Sequence, residues 1–390
     1  MGDVEQEPVS ARIVNAIASL DAAAWDACAG TQNPFVGHAF LKALEESGSV
    51  RPETGWAPQH LALEDADGRL LGVAPLYLKS HSQGEYVFDY GWADAFERAG
   101  GEYYPKLLMA VPFTPVPGPR LLAPPGPDQS AVRDTLLAAA VQIARQHEIS
   151  SLHVNFCSRD EWLRGGELGM LQRTGEQFHW LNRGYGTFAD FLADLAARKR
   201  KTIAKERRQA LGEGLELVVL QGADIGEEHW DAFFHFYMDT GSRKWGRPYL
   251  NREFFSLLGQ AMAERIALFL VRRNRRWIAG ALNLIGSDCL YGRYWGCTEE
   301  HRFLHFEVCY YRAIEFAIDH GLARVEAGAQ GPHKLARGYV PVHTYSAHWI
   351  RDGGFRAAVE NYLEHERREI DQEIEHLGRR APFRQTQGDG

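Results

Sequence analysis

Residues 266–350 limit the fold of this chain more than any other stretch. Residues 266–271 and 277–285 are apolar runs with β-branched side chains, and four arginines lie in the five residues between them. Two such runs around a short polar segment are typical of an antiparallel hairpin. Residues 290–295 then predict a third strand. Together the three runs indicate the antiparallel part of a sheet.

A helix and a short strand follow these three runs. Residues 307–320 place Val308, Tyr311 and Ile314 on one face, and Gly321 is a stop signal. Residues 324–327 predict the short strand. A helix that begins directly after a strand has unpaired N–H groups, which favour an anionic group such as phosphate. The order of hairpin, strand, helix and strand predicts an α/β fold of the α+β type with mixed sheets.

Composition limits the class of protein. The chain has 390 residues, 45% of them hydrophobic and 12% aromatic, which predicts two packed globular domains. The net charge of −8 gives no reason to expect non-specific binding to nucleic acid. The five cysteines form no Cys-x-x-Cys pair, which favours reduced thiols. The acidic first residues form no secretory signal and no stretch is long enough to span a membrane, so we expect a soluble cytoplasmic protein.

Two short segments of the first half recur in the same order in the second. Residues 71–77 resemble residues 279–285, and residues 143–154 resemble residues 316–327. Each first segment is the second arm of a hairpin, and each second segment is a helix end followed by a strand. The matches predict a duplicated α/β unit. We place the first domain at 1–182, the second at 183–380, and a disordered tail at 381–390.

Several longer motifs resemble one bacterial family. They lie at residues 40–49, 86–92, 103–108, 111–116, 304–311, 328–334 and 345–349. They are similar to a FemAB-like group of N-acyltransferases in the GNAT superfamily that carries the label peptidoglycan biosynthesis/recognition. The resemblance covers nearly the whole chain. It implies two tandem GNAT-like acyltransferase domains, with the acyltransferase cleft in the second, between the strands predicted at 290–295 and 324–327.

The acyl donor is a separate question. GNAT enzymes that use acetyl-CoA carry a glycine-rich loop before the helix, since glycine lets backbone amides approach the pyrophosphate. Residues 297–305 contain no glycine, and Glu299 and Glu300 would oppose a pyrophosphate. We therefore assign no firm cofactor. An aminoacyl-tRNA, as the Fem resemblance implies, or another acyl carrier stays open as donor beside acyl-CoA.

Acyl transfer to an amine needs a base, and the end of the short strand offers two candidates. Glu326 and His333 lie at or just beyond that end, where Gly328 and Gly331 let the chain turn tightly. The alternative is that Glu326 pairs with a structural arginine and His333 is a surface histidine. Tyr294 is the candidate for protonating the leaving group, although an aromatic residue on a strand also serves packing.

Other polar residues are candidates for binding the donor or the acceptor. Lys334 and Arg337 would hold an anionic group, and Arg293, Arg302 and His305 lie near the predicted cleft. In the first half, Asp89, Tyr104 and Lys106 would line the acceptor side of an interdomain groove. Aromatic packing explains that first-half group almost as well.

Two further patterns have competing interpretations. His301 and His305 have the spacing of helical metal ligands, but no adjacent ligand completes a set, so we predict no metal site. Residues 187–211 predict a helix, and seven of the eleven residues at 198–208 are Lys or Arg. This basic run is either a solvated helix face or a patch for the phosphates of a tRNA, a carrier arm or a nucleotide-linked sugar.

The sequence thus predicts an N-acyltransferase that moves an acyl or aminoacyl group directly to an amine of a small molecule or a cell-wall precursor. No cysteine or serine has the surroundings of a nucleophile, so we expect no covalent intermediate. One alternative is an acetyl-CoA-dependent N-acetyltransferase of a small amine. Another is a non-catalytic GNAT-fold protein that binds a cell-wall precursor or a partner protein.

Overall fold

A computed structural model describes residues 9–212, 214–244, 248–328 and 331–384. The chain forms two compact units that are not consecutive along the sequence. The first unit comprises Met1–Gly175 and Thr344–Glu369, and the second comprises Glu176–His343 and Ile370–Gly390. Within the part of the chain that is described, no helix combines the length and the apolar composition of a membrane span.

The first unit contains two sheets. Its strands are β1 Ser10–Val14, β2 Trp56–Pro58, β3 His60–Glu64, β4 Leu70–Ala74, β5 Leu76–Lys79, β6 Lys106–Met109, β7 Ser151–Cys157, the first part of β8 Leu171–Leu181 and most of β14 Val340–Ile350. One sheet has the order β1-β3-β4, and the other contains the run β2-β5-β6-β7-β14. The β6–β7 pair is parallel, whereas β5–β6 and β7–β14 are antiparallel.

The helices of the first unit pack their apolar faces into its core. They are α1 Ala22–Ala29, α2 His38–Glu46, α3 Tyr90–Arg98, α4 Gln129–Gln146, α5 Arg159–Glu167 and the first part of α12 Gly353–Arg379. Leu136, Ala140 and Ala144 of α4 are spaced by about one helical turn and belong to one buried cluster with Leu107 and Leu152 of β6 and β7. The opposite face of β7 carries polar side chains.

The second unit contains one sheet of mixed direction. Its strands are the end of β8, β9 Leu215–Gln221, β10 Ile266–Arg273, β11 Arg276–Ile285, β12 Cys289–Cys297 and β13 Arg324–Glu326, in the order β8-β13-β12-β11-β10-β9. The predicted hairpin is confirmed, since β10 and β11 pair from Ile266↔Leu284 to Arg273↔Arg276. Among the described strands of this unit only β12 and β13 run parallel, and they pair over three residues, from Cys289↔Arg324 to Tyr291↔Glu326.

The helices of the second unit are α6 Phe188–Asp194, α7 Ala197–Ala210, α8 Glu227–Lys244, α9 Arg252–Met262, α10 Leu304–Phe306 and α11 Arg312–Asp319, with a π-helical turn at Glu307–Tyr311 and a 3₁₀ turn at Pro332–Arg337. The single helix predicted over 187–211 is wrong in one respect. The backbone is extended at Leu195, with a ψ of 151°, so α6 ends there and α7 starts as a separate helix. Leu195 also bridges Phe383 of the predicted tail, of which residues 385–390 lie outside the described residues.

The predicted duplication is confirmed by the order of the strands. In the first unit the order is β5, β6, β7 and β14, and in the second it is β11, β12, β13 and β8. Each run has one antiparallel pair, then a parallel pair, then another antiparallel pair. A helix precedes the second strand of each parallel pair, namely α4 before β7 and α11 before β13.

Candidate active site

The parallel pairing in the second unit ends at Glu326, and three polar side chains lie in one row there. Tyr291 of β12 and His179 of β8 are the residues directly opposite Glu326 on its two neighbouring strands. Beyond this row β12 continues to Cys297 against β11 alone, with a bulge at Arg293. A bulge bends its strand. The chain therefore places a buried row of polar groups where two strands cease to pair.

The carboxylate of Glu326 is held on one side only. The residue is 4% exposed, and its Oε1 accepts a hydrogen bond of 3.1 Å from Nε of Arg324. Arg324 also donates to Asp288. Oε2 lies 3.9 Å from Nε2 of His179 and has no hydrogen-bond partner among the described residues. The predicted pairing with an arginine is present, and the second oxygen is left for another donor.

The two cross-strand neighbours of Glu326, His179 and Tyr291, are uncharged at neutral pH, whereas Arg324 beside it is charged. Burial lowers the pKa of His179, although the charge of Glu326 opposes this effect. Burial raises the pKa of Tyr291, and the nearby Cys289 and Glu326 raise it further. A carboxylate between a neutral imidazole and a neutral phenol can accept a proton from a bound group. Sequence reasoning missed both neighbours, because strand alternation shows which side a residue takes but not which residue lies opposite it.

A second set of predicted residues surrounds Tyr310 on the π-helical turn; we call it the Tyr310 cluster. Nε2 of His333 lies 2.9 Å from the Tyr310 hydroxyl, and the ring of His305 lies 5.3 Å from the Tyr310 ring. The guanidinium of Arg337 lies 3.4 Å from the ring centroid of Phe306. His333 is exposed, whereas Arg337 is buried. The structure thus brings His305, His333 and Arg337 together.

Lys334 links the Tyr310 cluster to the strand that carries Glu326. Its buried Nζ donates a hydrogen bond of 2.7 Å to the carbonyl of Gly328, two residues beyond Glu326. Burial lowers the pKa of Lys334 to about 8. Gly328 and Gly331 both have positive φ, 73° and 118°, as the predicted tight turn requires, and the two residues between them lie outside the described chain.

Arg293 and Tyr294 follow Tyr291 on β12, and Arg302 lies in the loop between β12 and α10. Tyr294 is half-buried, and its ring lies 5.1 Å from that of Tyr237 on α8. The Arg293 guanidinium lies 5.3 Å from the Tyr294 ring. Arg302 is exposed and stacks over Phe303 at 4.6 Å. No hydrogen bond or ion pair joins these three residues to Glu326 in the part of the chain that is described.

The three predicted residues of the first unit do come together, in a buried network around Lys106. Its Nζ donates hydrogen bonds to Ser82 at 2.7 Å, to Glu85 at 2.8 Å and to Asp89. Ser82 also lies 2.8 Å from the Tyr104 hydroxyl. Burial raises the pKa of Glu85 to about 7, against the effect of the Lys106 charge. Lys106 and Asp89 are buried, whereas Tyr104 is partly exposed.

The two histidines that have the spacing of metal ligands, His301 and His305, have other contacts. The described residues contain no group of three or more His, Cys, Asp or Glu side chains placed to hold a metal ion. His301 lies 3.3 Å from Glu299, and His305 instead packs its ring 5.3 Å from that of Trp295.

Several solved structures match most of this chain at low sequence identity. A solved structure of FemX matches with 15% identity and a TM-score of 0.51 over 81% of this chain and 93% of that one. A protein of unknown function from Bacteroides thetaiotaomicron matches with 11% identity and a TM-score of 0.50 over 89% of this chain and 100% of that one. A tandem GNAT protein from the clavulanic acid biosynthesis pathway matches with 12% identity and a TM-score of 0.46 over 88% and 98%. A search of the curated proteins finds no match.

The strand order of each unit, repeated once along the chain, defines a protein with two tandem GNAT-like domains. The family model described as FemAB-like, peptidoglycan biosynthesis/recognition, matches residues 16–385. The chain belongs to this FemAB-like family. The predicted family and fold class are therefore confirmed.

Proposed function

We propose that this protein is an N-acyltransferase that moves an acyl or aminoacyl group directly to an amine at the end of β13, with Glu326 as the base. One observation carries the proposal. Glu326 is a buried carboxylate whose Oε2 has no hydrogen-bond partner among the described residues, at the point where the parallel strands stop pairing. The resemblance to the GNAT superfamily implies that the acyl donor and the acceptor meet where two parallel strands stop pairing.

The proposed reaction has two steps, the attack of the amine on the acyl group and the collapse of the tetrahedral intermediate. The amine nitrogen forms a bond to the acyl carbonyl carbon while its proton passes to Oε2 of Glu326. The carbonyl oxygen carries the negative charge of the tetrahedral intermediate. Collapse breaks the bond to the leaving group, which takes a proton from Tyr294 or Lys334. Lys334 suits this second role because burial lowers its pKa to about 8, so it gives up a proton more readily than an exposed lysine.

Direct transfer is supported by the state of three cysteines. Cys28, Cys157 and Cys289 are buried, and burial raises the pKa of each thiol, that of Cys28 to about 11. A thiol must ionise to act as a nucleophile. These three thiols are therefore poor candidates for an acyl-enzyme intermediate.

The donor that we propose is an aminoacyl-tRNA or another acyl carrier. The loop before α10 has no glycine, and α10 is a single short turn. Glu299 of this loop is paired with Arg273 at 2.8 Å, so one of its two acidic charges is neutralised. Charge repulsion is therefore the weaker of the two reasons against a pyrophosphate. The stronger reason is that a loop without glycine does not let backbone amides approach the pyrophosphate closely. Of the basic run from Arg198 to Arg208 on α7, exposed cations such as Lys201 and Lys205 would contact tRNA phosphates.

The acceptor that we propose is an amine of a cell-wall precursor, as the family description suggests. In the first unit, Tyr104 is the predicted acceptor residue with an exposed side-chain surface. Asp89 and Lys106 would act through it, because their buried network holds Ser82 against the Tyr104 hydroxyl.

The test compares Glu326→Gln with Asp288→Asn, a control that also removes a carboxylate from Arg324. Both are assayed for transfer from acetyl-CoA and from aminoacyl-tRNA to a panel of cell-wall precursor amines. Glu326→Gln should lower kcat by about 10²-fold or more, whereas Asp288→Asn should keep it within about threefold. Full activity of Glu326→Gln would refute the assignment. Turnover with acetyl-CoA alone would support the small-amine alternative, and ligand-induced stabilisation with no turnover would indicate a binding protein.

A further inference from the structure

The second unit contains a cavity of about 310 Å³ that the proposed chemistry does not use. It lies between α7, the π-helical turn and the 3₁₀ turn at Pro332–Arg337. Six polar side chains line it, namely Arg198, Lys199, Thr202, Glu206, Tyr311 and Arg337. The cavity therefore has a polar lining drawn from three separate elements.

The inner part of the cavity is built from Glu206, Tyr311 and Arg337. Nη2 of Arg337 donates to the Glu206 carboxylate at 3.1 Å, and Nη1 donates to the carbonyl of His333 at 2.8 Å. The Tyr311 hydroxyl also donates to Glu206. These contacts fix the guanidinium in place. Its orientation is set before any ligand arrives.

One donor of this fixed guanidinium is not used. Arg337 is 7% exposed, and its Nε has no hydrogen-bond partner among the described residues. Buried N–H groups are almost always paired in native proteins, with protein, water or ligand. A buried donor without an acceptor, in the lining of a cavity, indicates that an acceptor belongs there.

The charge of the lining indicates an anion. Glu206 is the one carboxylate among the lining residues, and Arg337 and Tyr311 both bind it. Arg198 is exposed and Lys199 is half-buried, and they add two positive charges at the start of α7. The balance in the cavity is thus positive, although the chain as a whole carries a net charge of −8.

We propose that this cavity binds the terminal phosphate or diphosphate of a small molecule. A terminal phosphate offers several free oxygens to Arg337, Arg198 and Lys199, and arginine and lysine suit such groups. The volume, about 310 Å³, is at the small end of ligand cavities, which begin near ~300 Å³. The backbone of an RNA would instead contact exposed cations of α7 such as Lys201 and Lys205, since the diester groups of a long polymer do not insert beside a buried side chain.

The test is a calorimetric titration of the full chain with inorganic pyrophosphate. Saturable binding is expected. Thr202→Trp should abolish it by filling the cavity from an exposed helical position. Lys199→Gln and Arg337→Lys should each weaken binding about tenfold, the effect of losing one charge-assisted hydrogen bond. Lys205→Gln is the matched control on the same helix, outside the lining, and should change the affinity less than about twofold.

Three results would overturn the proposal. The first is the lack of saturable binding up to ~10 mM pyrophosphate. The second is an equal loss of affinity in Lys205→Gln, which would indicate attraction to the whole basic face. The third is an RNA oligonucleotide that competes with pyrophosphate and loses its own binding in Thr202→Trp, which would assign the cavity to nucleic acid.

The proposal stands apart from the role of Glu326. Glu326→Gln should lose transfer and keep pyrophosphate binding, whereas Thr202→Trp should lose pyrophosphate binding whatever its activity. Because Thr202 and Lys199 lie on the accessible side of α7, these two variants decide the question even if Arg337→Lys does not fold.

Discussion

Oε2 of Glu326 and Nε2 of His179 lie 3.9 Å apart, across neighbouring antiparallel strands and 147 positions apart in sequence. The gap is too long for a hydrogen bond and short enough for one charge to affect the other. The imidazole is neutral at pH 7, because burial lowers its pKa. The carboxylate that we propose as base therefore has a polar but uncharged neighbour.

The first prediction concerns this neighbour. His179→Phe keeps a ring in place and removes the nitrogen that faces Glu326. An apolar neighbour favours the neutral form of a carboxyl group, so the acidic limb of the pH profile of kcat/KM should move to higher pH. The value of kcat/KM at neutral pH should fall about tenfold. His320→Gln, at the exposed end of α11, is the control and should leave the profile in place. An unmoved acidic limb in His179→Phe would show that the two side chains are not linked.

The second prediction concerns the pH dependence of stability in the first unit. Nδ1 of His153 and Nδ1 of His348 lie 2.7 Å apart, and a serine lies against the other nitrogen of each ring. Burial, with the charge of Lys106, lowers the pKa of His153 to about 3, although Asp89 opposes the shift. Burial and the facing His153 hold the pKa of His348 well below its usual value. Arg173 acts in the same direction on both rings.

In the unfolded chain these histidines take up protons near pH 6.5, whereas the folded chain keeps them neutral. Their contribution to stability is therefore complete above pH 6.5. It is lost as the pH falls from 6.5 towards 3, at about 1.4 kcal/mol per pH unit for each histidine. Urea unfolding of the native protein and of His348→Gln between pH 7 and pH 5 measures this slope. The variant should show a slope smaller by about one histidine, and equal slopes would contradict the prediction.

The third prediction concerns Lys106, which the sequence marked as a substrate contact. Lys106 is 0% exposed and donates to both Glu85 and Asp89. Lys106→Met would leave two buried carboxylates without this cation, so the free energy of unfolding should fall by about 3–5 kcal/mol. Lys42→Met removes one partner of an exposed pair with Glu46 at 3.5 Å and should cost no more than about 0.5 kcal/mol. Urea unfolding compares the two variants. A stable Lys106→Met protein that fails to bind an acceptor would favour the substrate role.

The central part of the second unit was predictable from local patterns. The runs at 266–271 and 277–285 pair as β10 and β11, because two continuous apolar runs joined by a short polar segment bury their side chains by pairing as adjacent strands. The amphipathic pattern at 307–320 lies in the helical segment from Leu304 to Asp319, because its apolar face, with Val308, Tyr311 and Ile314, packs into the core. It did not reveal the π-helical turn at Glu307–Tyr311, since a wider turn changes the direction of a face without changing its composition.

The candidate site was predictable only in part. Glu326 was chosen for its place at the end of the short strand and Lys334 as a cation beyond that end, and both prove to be buried. The sequence did not show that His305, His333 and Arg337 would gather around Tyr310 and not around Glu326. Side-chain direction beyond a glycine turn depends on what the loop packs against, which in this chain is the aromatic surface of the π-helical turn.

The sequence by itself determined the hairpin of β10 and β11, the helix and the short strand that follow β12, the duplication and the presence of a carboxylate at the end of β13. These properties follow from the periodicity of apolar residues and from turn residues, both of which act over a few positions. The tertiary structure alone decided that Tyr291, Glu326 and His179 form one row, that Lys106 is fully buried and that Arg337, which lines a cavity, has an unused donor. Register and burial depend on residues distant in sequence, because a strand is positioned by the partners that its hydrogen bonds and side chains meet.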